Sequence, residues 1–400
     1  RVLREQGVHF LDQVRMLCAS NLREKSYIIL LDDFEQNVVV KNGLPKDIVP
    51  EARPVMEAVS SGLRAAPGSS KLIVTSRFEI DLPGLEPIGM GSLSDAEQAK
   101  KVKRLEHVGG DRIAPELKKR FVEAGRGIPR LMEWMDEIAA RAGHAELEST
   151  FGAVKKEEER YVYEHLGNVL ISLEEEGFGE FMREASVYGA PVPAAGFVEV
   201  CSAGYAAAEK HLETGLSAGL VETDLTARAS GLPCHIVSPL IREDQYGKLP
   251  AEKRAETHRR ALGYLLEIRD RNMPGWTEYS REIVTHALES GEENTAAQEA
   301  AGLVTFIRQS LAYKEAREYG EKILERLETE KPKPGVAALL NAVGYIANSQ
   351  GEHRKAIEYC EKALNLNTSL FGETDKNVAM NLNNLGEAYR GLGDAKKAIE

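Results

Sequence analysis

The feature that most restricts the possible fold is an internal repeat near the end of the chain. Residues 340–358 align with residues 382–400 at a shift of 42 positions. The matching pairs are Leu340/Leu382, Asn341/Asn383, Gly344/Gly386, Gly351/Gly393, Lys355/Lys397, Ala356/Ala398, Ile357/Ile399 and Glu358/Glu400. A period of this length is typical of stacked helical units that bury their apolar faces against each other. The repeat therefore predicts an α-solenoid over residues 336–400.

Small residues occupy the repeat positions where two helices would have to approach closely. Gly344 and Ala356 allow that approach, and Gly351 suits a left-handed turn between the helices. With the stretch NLNNLGEAYRGLG at Asn381–Gly393, the pattern resembles tetratricopeptide repeats of the kinesin-light-chain type. The resemblance implies a groove that binds a protein or peptide ligand. An unrelated pair of helical hairpins is the alternative.

Two apolar segments near the N-terminus predict neighbouring strands. Tyr27–Leu31 is a continuous apolar run, which is typical of a central parallel strand buried on both faces. Residues 71–79 read KLIVTSRFE and predict a second strand. Between them, Ala52–Ala65 has an apolar face and predicts a crossover helix. The order strand, helix, strand indicates part of a doubly wound α/β sheet.

Charged side chains follow both predicted strands, at the edge where parallel sheets bind ligands. Asp32 and Asp33 follow the first strand, and carboxylates there can hold the Mg²⁺ of a nucleotide directly or through water. Arg77 follows the second strand, and its guanidinium can bind phosphate through two hydrogen bonds. Acidic strand ends are also common in proteins without such a site, so the Asp pair alone leaves both interpretations open.

The strings LLDDFE and IVTSRFE resemble the Walker B and sensor-1 strands of the signal-transducing NTPases with numerous domains. This AAA+-related class, abbreviated STAND, includes plant NB-ARC resistance proteins and apoptosome scaffolds. Two further motifs follow in that family's order. Ser94 and Glu97 form a capping box at a helix start, and Gly127-Ile128-Pro129 resembles the GxP motif. A plain turn is the alternative for Gly127 and Pro129 taken alone.

The resemblance implies a role for each matching residue. Asp32 would coordinate Mg²⁺, and Asp33 would act as the catalytic residue that orients the attacking water, with Glu35 as its alternative. Arg77 would sense the γ-phosphate. Pro129, in the motif that begins at Gly127, would pack against bound ATP or ADP.

The P-loop of that family, Gly-x-x-x-x-Gly-Lys-Ser/Thr, does not occur in the 400 residues. Family spacing would place it upstream of Arg1, so we expect a piece of a longer protein. The parent would be a slow regulatory ATPase that uses ATP, ADP and Mg²⁺. The chain by itself is expected to bind nucleotide weakly and to hydrolyse nothing measurable.

Residues 161–250 predict helices followed by two short strands. Tyr205–Ser217 is amphipathic, and residues 219–223 and 234–238 read as strands separated by a polar tip. This order is the winged-helix pattern, which the resembled family has at this position. The family has Met-His-Asp after the last strand, and its His reaches the β-phosphate of ADP. Ser238 stands at that position and offers one neutral hydrogen bond without a charge.

Charge and composition restrict the classes of partner and the cellular location that we expect. The net charge is −12, and the predicted recognition helix is neutral to acidic, which argues against nucleic acid. The four cysteines lie far apart, which favours a reducing, cytoplasmic location. The sequence contains no apolar run long enough for a membrane span.

These observations predict a multidomain α/β plus α protein. The expected domains are a partial parallel-sheet NTPase core at 1–90, a small helical domain at 91–160, a winged helix at 161–250, a helical connector at 251–335 and a solenoid at 336–400. The expected function is an ATP/ADP-dependent switch whose repeats sense a protein or peptide, with homo-oligomers forming on activation. A DNA-binding transcription regulator and a non-catalytic repeat scaffold are the alternatives.

Overall fold

A computed structural model describes residues 26–31, 34, 38–41, 44–49, 52–65, 70–76, 80, 82–86, 88, 91–110, 113–156, 159–229, 232–270, 276–309, 312–329 and 331–400. The chain divides into two compact units, Arg1–Gly91 and Ser92–Glu400. The described residues are mostly helical, with small sheets in each unit.

The first unit contains four short strands and one helix among its described residues. They are β1 (Ile28–Leu31), β2 (Val38–Lys41), β3 (Leu44–Ile48), α1 (Ala52–Ala65) and β4 (Lys71–Val74). Strands β1 and β4 pair in parallel, with Leu31 opposite Val74, and β2 and β3 form an antiparallel pair. The predicted order of strand, helix and parallel strand is confirmed, whereas the β2–β3 pair was not predicted.

The prediction that β1 is buried on both faces is wrong. Ile28 is 72% exposed and Leu30 is 57% exposed. Among the described strands only β4 pairs with β1, and one small core that includes Phe34 and Met56 packs against Leu31. Because alternate side chains of a strand point to opposite faces, a core on one side leaves the other side in contact with water.

The second unit is built almost entirely from helices. They are α2 (Asp95–Val102), α3 (Pro115–Gly125), α4 (Pro129–Arg141), α5 (His144–Lys156), α6 (Glu159–Leu173), α7 (Phe178–Ala185), α8 (Ala194–Val200), α9 (Tyr205–Ser217), α10 (Pro239–Gly247), α11 (Ala251–Asp270), α12 (Trp276–Glu289), α13 (Glu293–Gln309), α14 (Tyr313–Leu324), α15 (Pro334–Ser349), α16 (His353–Phe371), α17 (Lys376–Leu392) and α18 (Ala395–Ile399). Helix α9 has the bounds that the amphipathic pattern predicted.

A three-stranded antiparallel sheet is formed by strands that follow α7 and precede α10 in the chain. Its strands are β5 (Val192–Pro193), β6 (Val221–Ala229) and β7 (Leu232–Val237), in the spatial order β5, β7, β6. The strands predicted at 219–223 and 234–238, on either side of the polar tip, correspond to β6 and β7. Both extend further toward the tip than predicted. We call residues 178–247, from α7 to α10, the hairpin module.

Two large apolar clusters hold the second unit together. The first extends from Val108 to Ala296 and contains Trp134, and the second extends from Val284 to Leu366 in the repeat helices. Helix α12 contributes to both, since Ile283 belongs to the first cluster and Val284 to the second. Helix α12 therefore links the hairpin module to the repeats.

The repeat helices form successive hairpins, α13 with α14, α15 with α16 and α17 with α18. The first helices of these hairpins also pack side by side, α13 against α15 and α15 against α17. This two-way packing is that of a helical solenoid.

Helix α15 begins at Pro334, close to the predicted end of the connector at residue 335. Proline fits the first position of a helix, where no backbone donor is needed. The Gly335 N–H donates to Asn294 Oδ1 at 2.8 Å, and a Cβ at Gly335 would lie 2.3 Å from the Asn294 carbonyl oxygen. The glycine thus permits close contact between α15 and α13.

Candidate functional site

The residues predicted to hold Mg²⁺ and the γ-phosphate, Asp32, Asp33 and Arg77, lie outside the described residues, as does Glu35. The strands that precede them are described and are direct neighbours. The Thr75 N–H donates to the Leu31 carbonyl oxygen at 2.9 Å. The pairing of β1 with β4 is the arrangement that the sequence predicted for these strands, and the roles of the three charged residues stay predictions.

The Gly127–Pro129 segment forms a tight turn that leads into α4. Gly127 has a φ of +71° and is buried, and its carbonyl oxygen accepts a hydrogen bond of 2.7 Å from the Leu93 N–H. A Cβ at this position would lie 2.7 Å from the Leu93 carbonyl oxygen. Pro129 is the first residue of α4 and its side chain is exposed. The turn therefore packs on the segment before α2 and leaves the proline ring accessible.

Arg126, the residue before that turn, is the one non-glycine residue with positive φ (49°) among the described residues. Its guanidinium donates to the Val154 carbonyl oxygen at 2.8 Å, near the end of α5. Cations are favourable at helix C-termini, where carbonyl groups have no partner within the helix. Arg126 therefore ties the turn to α5.

Ser238 is completely buried at the start of α10. Its hydroxyl donates to Glu222 Oε1 at 2.6 Å, and its N–H donates to the Leu220 carbonyl oxygen at 2.8 Å. The single hydroxyl proton is therefore already used. A phosphate at Ser238 would face the Glu222 carboxylate, so this site does not suit an anion while the contact with Glu222 exists.

Arg130, which the sequence analysis did not single out, connects the turn at Pro129 to the Glu222 carboxylate that also holds Ser238. It follows Pro129 directly, and its Nη2 donates to Glu222 Oε1 at 3.2 Å and to the Gly219 carbonyl oxygen at 2.8 Å. The same guanidinium lies over the ring of Trp134, 5.7 Å from its centroid. Adjacency to the GxP motif was the sequence signal that could have drawn attention to Arg130.

Histidines of the hairpin module and α12 are buried. His235 is 7% exposed, and its Nδ1 lies 3.0 Å from Thr223 Oγ1. Burial lowers the pKa of His235 below its ordinary value. His286 has no exposed surface and contacts a second buried histidine, His258, which the sequence analysis missed.

Helices α13, α15 and α17 pack side by side, and we call their exposed residues the A-helix face. Its exposed residues include Gln298, Ala338, Tyr345, Met380 and Asn383. Helix α15 contains no charged residue, and the guanidinium of Arg308 lies over the Tyr345 ring at 4.9 Å from its centroid. The face is therefore uncharged at its centre and presents an aromatic ring beside a cation.

Below the A-helix face, buried asparagines connect the repeats. Asn367 Nδ2 donates to Asn381 Oδ1 at 2.6 Å, and Asn381 Nδ2 donates to Asn341 Oδ1 at 2.8 Å. Asn384 Nδ2 donates to the same Asn341 oxygen at 2.8 Å. Because buried amides need partners, this cluster fixes α15, α16 and α17 in one register.

The model of the tetratricopeptide repeat family matches residues 335–400. This match agrees with the start of α15 and with the hairpin packing, so the C-terminal segment consists of tetratricopeptide repeats, as the sequence predicted. The family model covers the helices that carry Tyr345 and Asn381.

Two solved structures are similar to the chain. The first is a signal transduction ATPase with numerous domains (STAND) protein with a tetratricopeptide repeat sensor from Pyrococcus horikoshii, 13% identical, with a TM-score of 0.46 over 99% of this chain and 70% of that chain. The second is BtubC (BKLC) from P. vanneervenii, 16% identical, with a TM-score of 0.27 over 72% of this chain and 88% of that chain. No curated protein matches the sequence.

The described residues contain neither a membrane-spanning helix nor a cluster of metal-binding side chains. None of their helices combines the length and the apolar character that crossing a membrane requires. Within the same residues, no group of three or more histidine, cysteine or acidic side chains is arranged to hold a metal ion.

Proposed function

We propose that the chain is a protein-interaction sensor whose tetratricopeptide repeats bind a protein or peptide segment on the A-helix face. The observation that carries the proposal is the side-by-side packing of α13, α15 and α17 in a segment that matches the repeat family. Such packing leaves one side of each first helix exposed. Tyr345, 39% exposed beside Arg308, supplies the kind of aromatic anchor that dominates interface energies.

Selection of a random peptide phage library on the full chain tests this proposal. We expect enriched peptides to bind with an affinity that falls at least about tenfold in Tyr345→Ala, since an aromatic anchor contributes 1–2 kcal/mol or more by order of magnitude. Phe371→Ala is the matched control, because Phe371 is an aromatic residue of similar exposure at the end of α16. Peptides that bind both variants like the wild type would contradict the assignment of the A-helix face.

We further propose that the natural full-length protein is a nucleotide-dependent switch. The support is the ordered set of motifs in the sequence and the parallel pairing of the strands that precede Asp32 and Arg77. Asp32 would hold Mg²⁺, which neutralises phosphate charge, and Arg77 would bind the γ-phosphate. Pro129 is accessible for a nucleotide, whereas Ser238 would first have to release Glu222.

Bound nucleotide would hold the protein in a closed form. A ligand bound to the repeats would shift the equilibrium toward an open form that self-associates. A ligand can shift such an equilibrium only by its different affinities for the two forms. The DNA-binding alternative has less support, because Lys210 of α9 is ion-paired with Glu175 and its cation is neutralised.

Turnover of Mg-ATP by the natural full-length protein tests the switch. Asp32→Ala is expected to reduce turnover by orders of magnitude while the far-ultraviolet circular dichroism spectrum is retained, since catalysis here depends on placed charges. Asp33→Asn is expected to do the same, with Glu35→Gln as the matched control that keeps activity. If Glu35→Gln lost turnover and Asp33→Asn kept it, the catalytic role would belong to Glu35 instead.

A further inference from the structure

A chain of close polar contacts crosses the junction between the hairpin module and the helices that lead to the repeats. We call Tyr246, His258, His286 and Glu282 the histidine relay. Tyr246 Oη lies 3.0 Å from His258 Nε2, and the Nδ1 atoms of His258 and His286 are 2.7 Å apart. His286 Nε2 faces Glu282 Oε2 at 3.5 Å. The two imidazoles are 2% and 0% exposed, so water does not reach them freely.

The relay has a fixed direction when both imidazoles are neutral. The Glu282 carboxylate lies 3.5 Å from His286 Nε2, at ion-pair rather than hydrogen-bond distance, and its charge favours a proton on Nε2, which leaves Nδ1 as the acceptor. His258 must then donate from Nδ1, because a nitrogen–nitrogen contact of 2.7 Å requires one donor and one acceptor. The remaining His258 Nε2 accepts the hydroxyl proton of Tyr246. We therefore expect a single tautomer for each ring.

Both ends of the relay attach to the hairpin module, and its middle lies in α11 and α12. Tyr246 belongs to α10. At the other end, the Gly189 N–H donates to Glu282 Oε2 at 2.9 Å, just before β5. A Cβ at Gly189 would lie 2.9 Å from Glu282 Oε1, so only glycine allows this approach without displacement. Because α12 packs on α13, the relay fastens the hairpin module to the repeat helices.

We propose that the histidine relay is an acid-sensitive joint between the hairpin module and the repeat helices, closed while His258 is neutral and loosened when His258 takes up a proton. A proton added at His258 Nε2 reverses the hydrogen bond with Tyr246, because the ring then donates to Tyr246 Oη and the hydroxyl proton loses its acceptor. This change puts a charge in a buried site, which is costly.

The surroundings of the relay lower the pKa of His258 overall. Burial and the neighbouring His286 lower the pKa of His258 to about 4, although the Glu289 and Glu282 carboxylates act in the opposite direction. Although burial raises the pKa of Glu282, the neighbouring His286 and the hydrogen bond from the Gly189 N–H lower it overall, so this carboxylate stays ionised. The titratable and charged groups around the relay are Tyr188, Arg242, Arg254, Glu289 and Arg326.

The tautomers provide the first test. Nuclear magnetic resonance of the full chain with ¹⁵N-labelled histidine at pH 7.5 reports which ring nitrogen carries the proton. We expect His258 to be protonated on Nδ1 and His286 on Nε2. A neutral His258 protonated on Nε2, or a doubly protonated His258 at this pH, would overturn the proposal without any substitution.

Hydrogen exchange, corrected for the intrinsic pH dependence, provides the second test. Between pH 7.5 and pH 4.5 we expect α11 and α12 to lose protection by about tenfold or more relative to α16. His258→Asn keeps an amide donor near the Nδ1 position but does not titrate, so its α11 should lose much less protection. His144→Gln, a substitution of an exposed histidine, is the control and should behave like the wild type. Equal acid loosening in His258→Asn and the wild type would refute the joint.

Discussion

Ser238 donates its hydroxyl proton to Glu222 Oε1 at 2.6 Å, and Arg130 reaches the same oxygen at 3.2 Å. One carboxylate thus joins the start of α10 to the start of α4. Ser238 is completely buried, whereas the Arg130 and Glu222 side chains are 36% and 41% exposed. The serine contact is therefore the part of this network from which water is excluded.

Removal of the Ser238 hydroxyl should destabilise the second unit measurably. We expect Ser238→Ala to lower the free energy of unfolding in urea by about 1 kcal/mol, the usual contribution of one hydrogen bond. Ser217→Ala is the control, because that exposed hydroxyl donates to the Thr214 carbonyl oxygen at the end of α9. Its effect should remain within about 0.5 kcal/mol. Equal effects of the two substitutions would argue that burial of the Glu222 contact has no energetic importance.

Gly344 lies where α15 and α16 approach each other. A Cβ there would be 3.0 Å from Cys360 Sγ and 3.1 Å from Tyr359 Cβ, so a larger side chain has no space. We expect Gly344→Leu to lower the melting temperature and to cost more than about 2 kcal/mol through overpacking. Gly302→Leu on α13 is the matched control, because a Cβ at Gly302 would meet no atom within 4 Å. A Gly344→Leu variant as stable as Gly302→Leu would contradict the repeat register.

Asn381 both donates and accepts within the buried asparagine cluster. Asn381→Ala leaves the Asn367 amide without its acceptor, and an unsatisfied buried polar group costs about 1–3 kcal/mol. We therefore expect earlier unfolding of the repeats, read as faster hydrogen exchange in α16 and α17. Asn383→Ala, two positions along the same helix but exposed, should leave exchange nearly unchanged.

Stability should decrease in mild acid because of His258. Its pKa is about 4 in the folded protein and near the ordinary 6.5 when unfolded, so the unfolded chain takes up the proton first as the pH falls. The contribution is fully present above pH 6.5 and is lost progressively down to about pH 4, to a total of about 3 kcal/mol. Urea unfolding at pH 7.5 and 4.5 measures it. The pH-dependent loss should be smaller in His258→Asn, and an unchanged loss would assign the acid sensitivity to other groups.

Features that depend on local spacing could be predicted from the sequence. The bounds of α1 and α9 follow from amphipathic periodicity, and the repeat register follows from glycines at equivalent positions such as Gly344 and Gly386. A helix repeats every 3.6 residues wherever it packs, so these signals need no knowledge of the partner. The burial of β1 was predicted wrongly, because an apolar strand does not specify how many of its faces the rest of the sheet will cover.

Contacts between distant residues were decided only by the tertiary structure. Arg130 meets Glu222 across 92 positions of sequence, and His258 meets His286 across 28. A charged or polar residue reads the same in the sequence whether its side chain will face water or a partner. Its position along one helix does not show which neighbouring helix it will contact. The sequence therefore determined the helices, the repeats and the glycine positions, whereas packing chose the carboxylate that holds Ser238 and brought two buried imidazoles into contact.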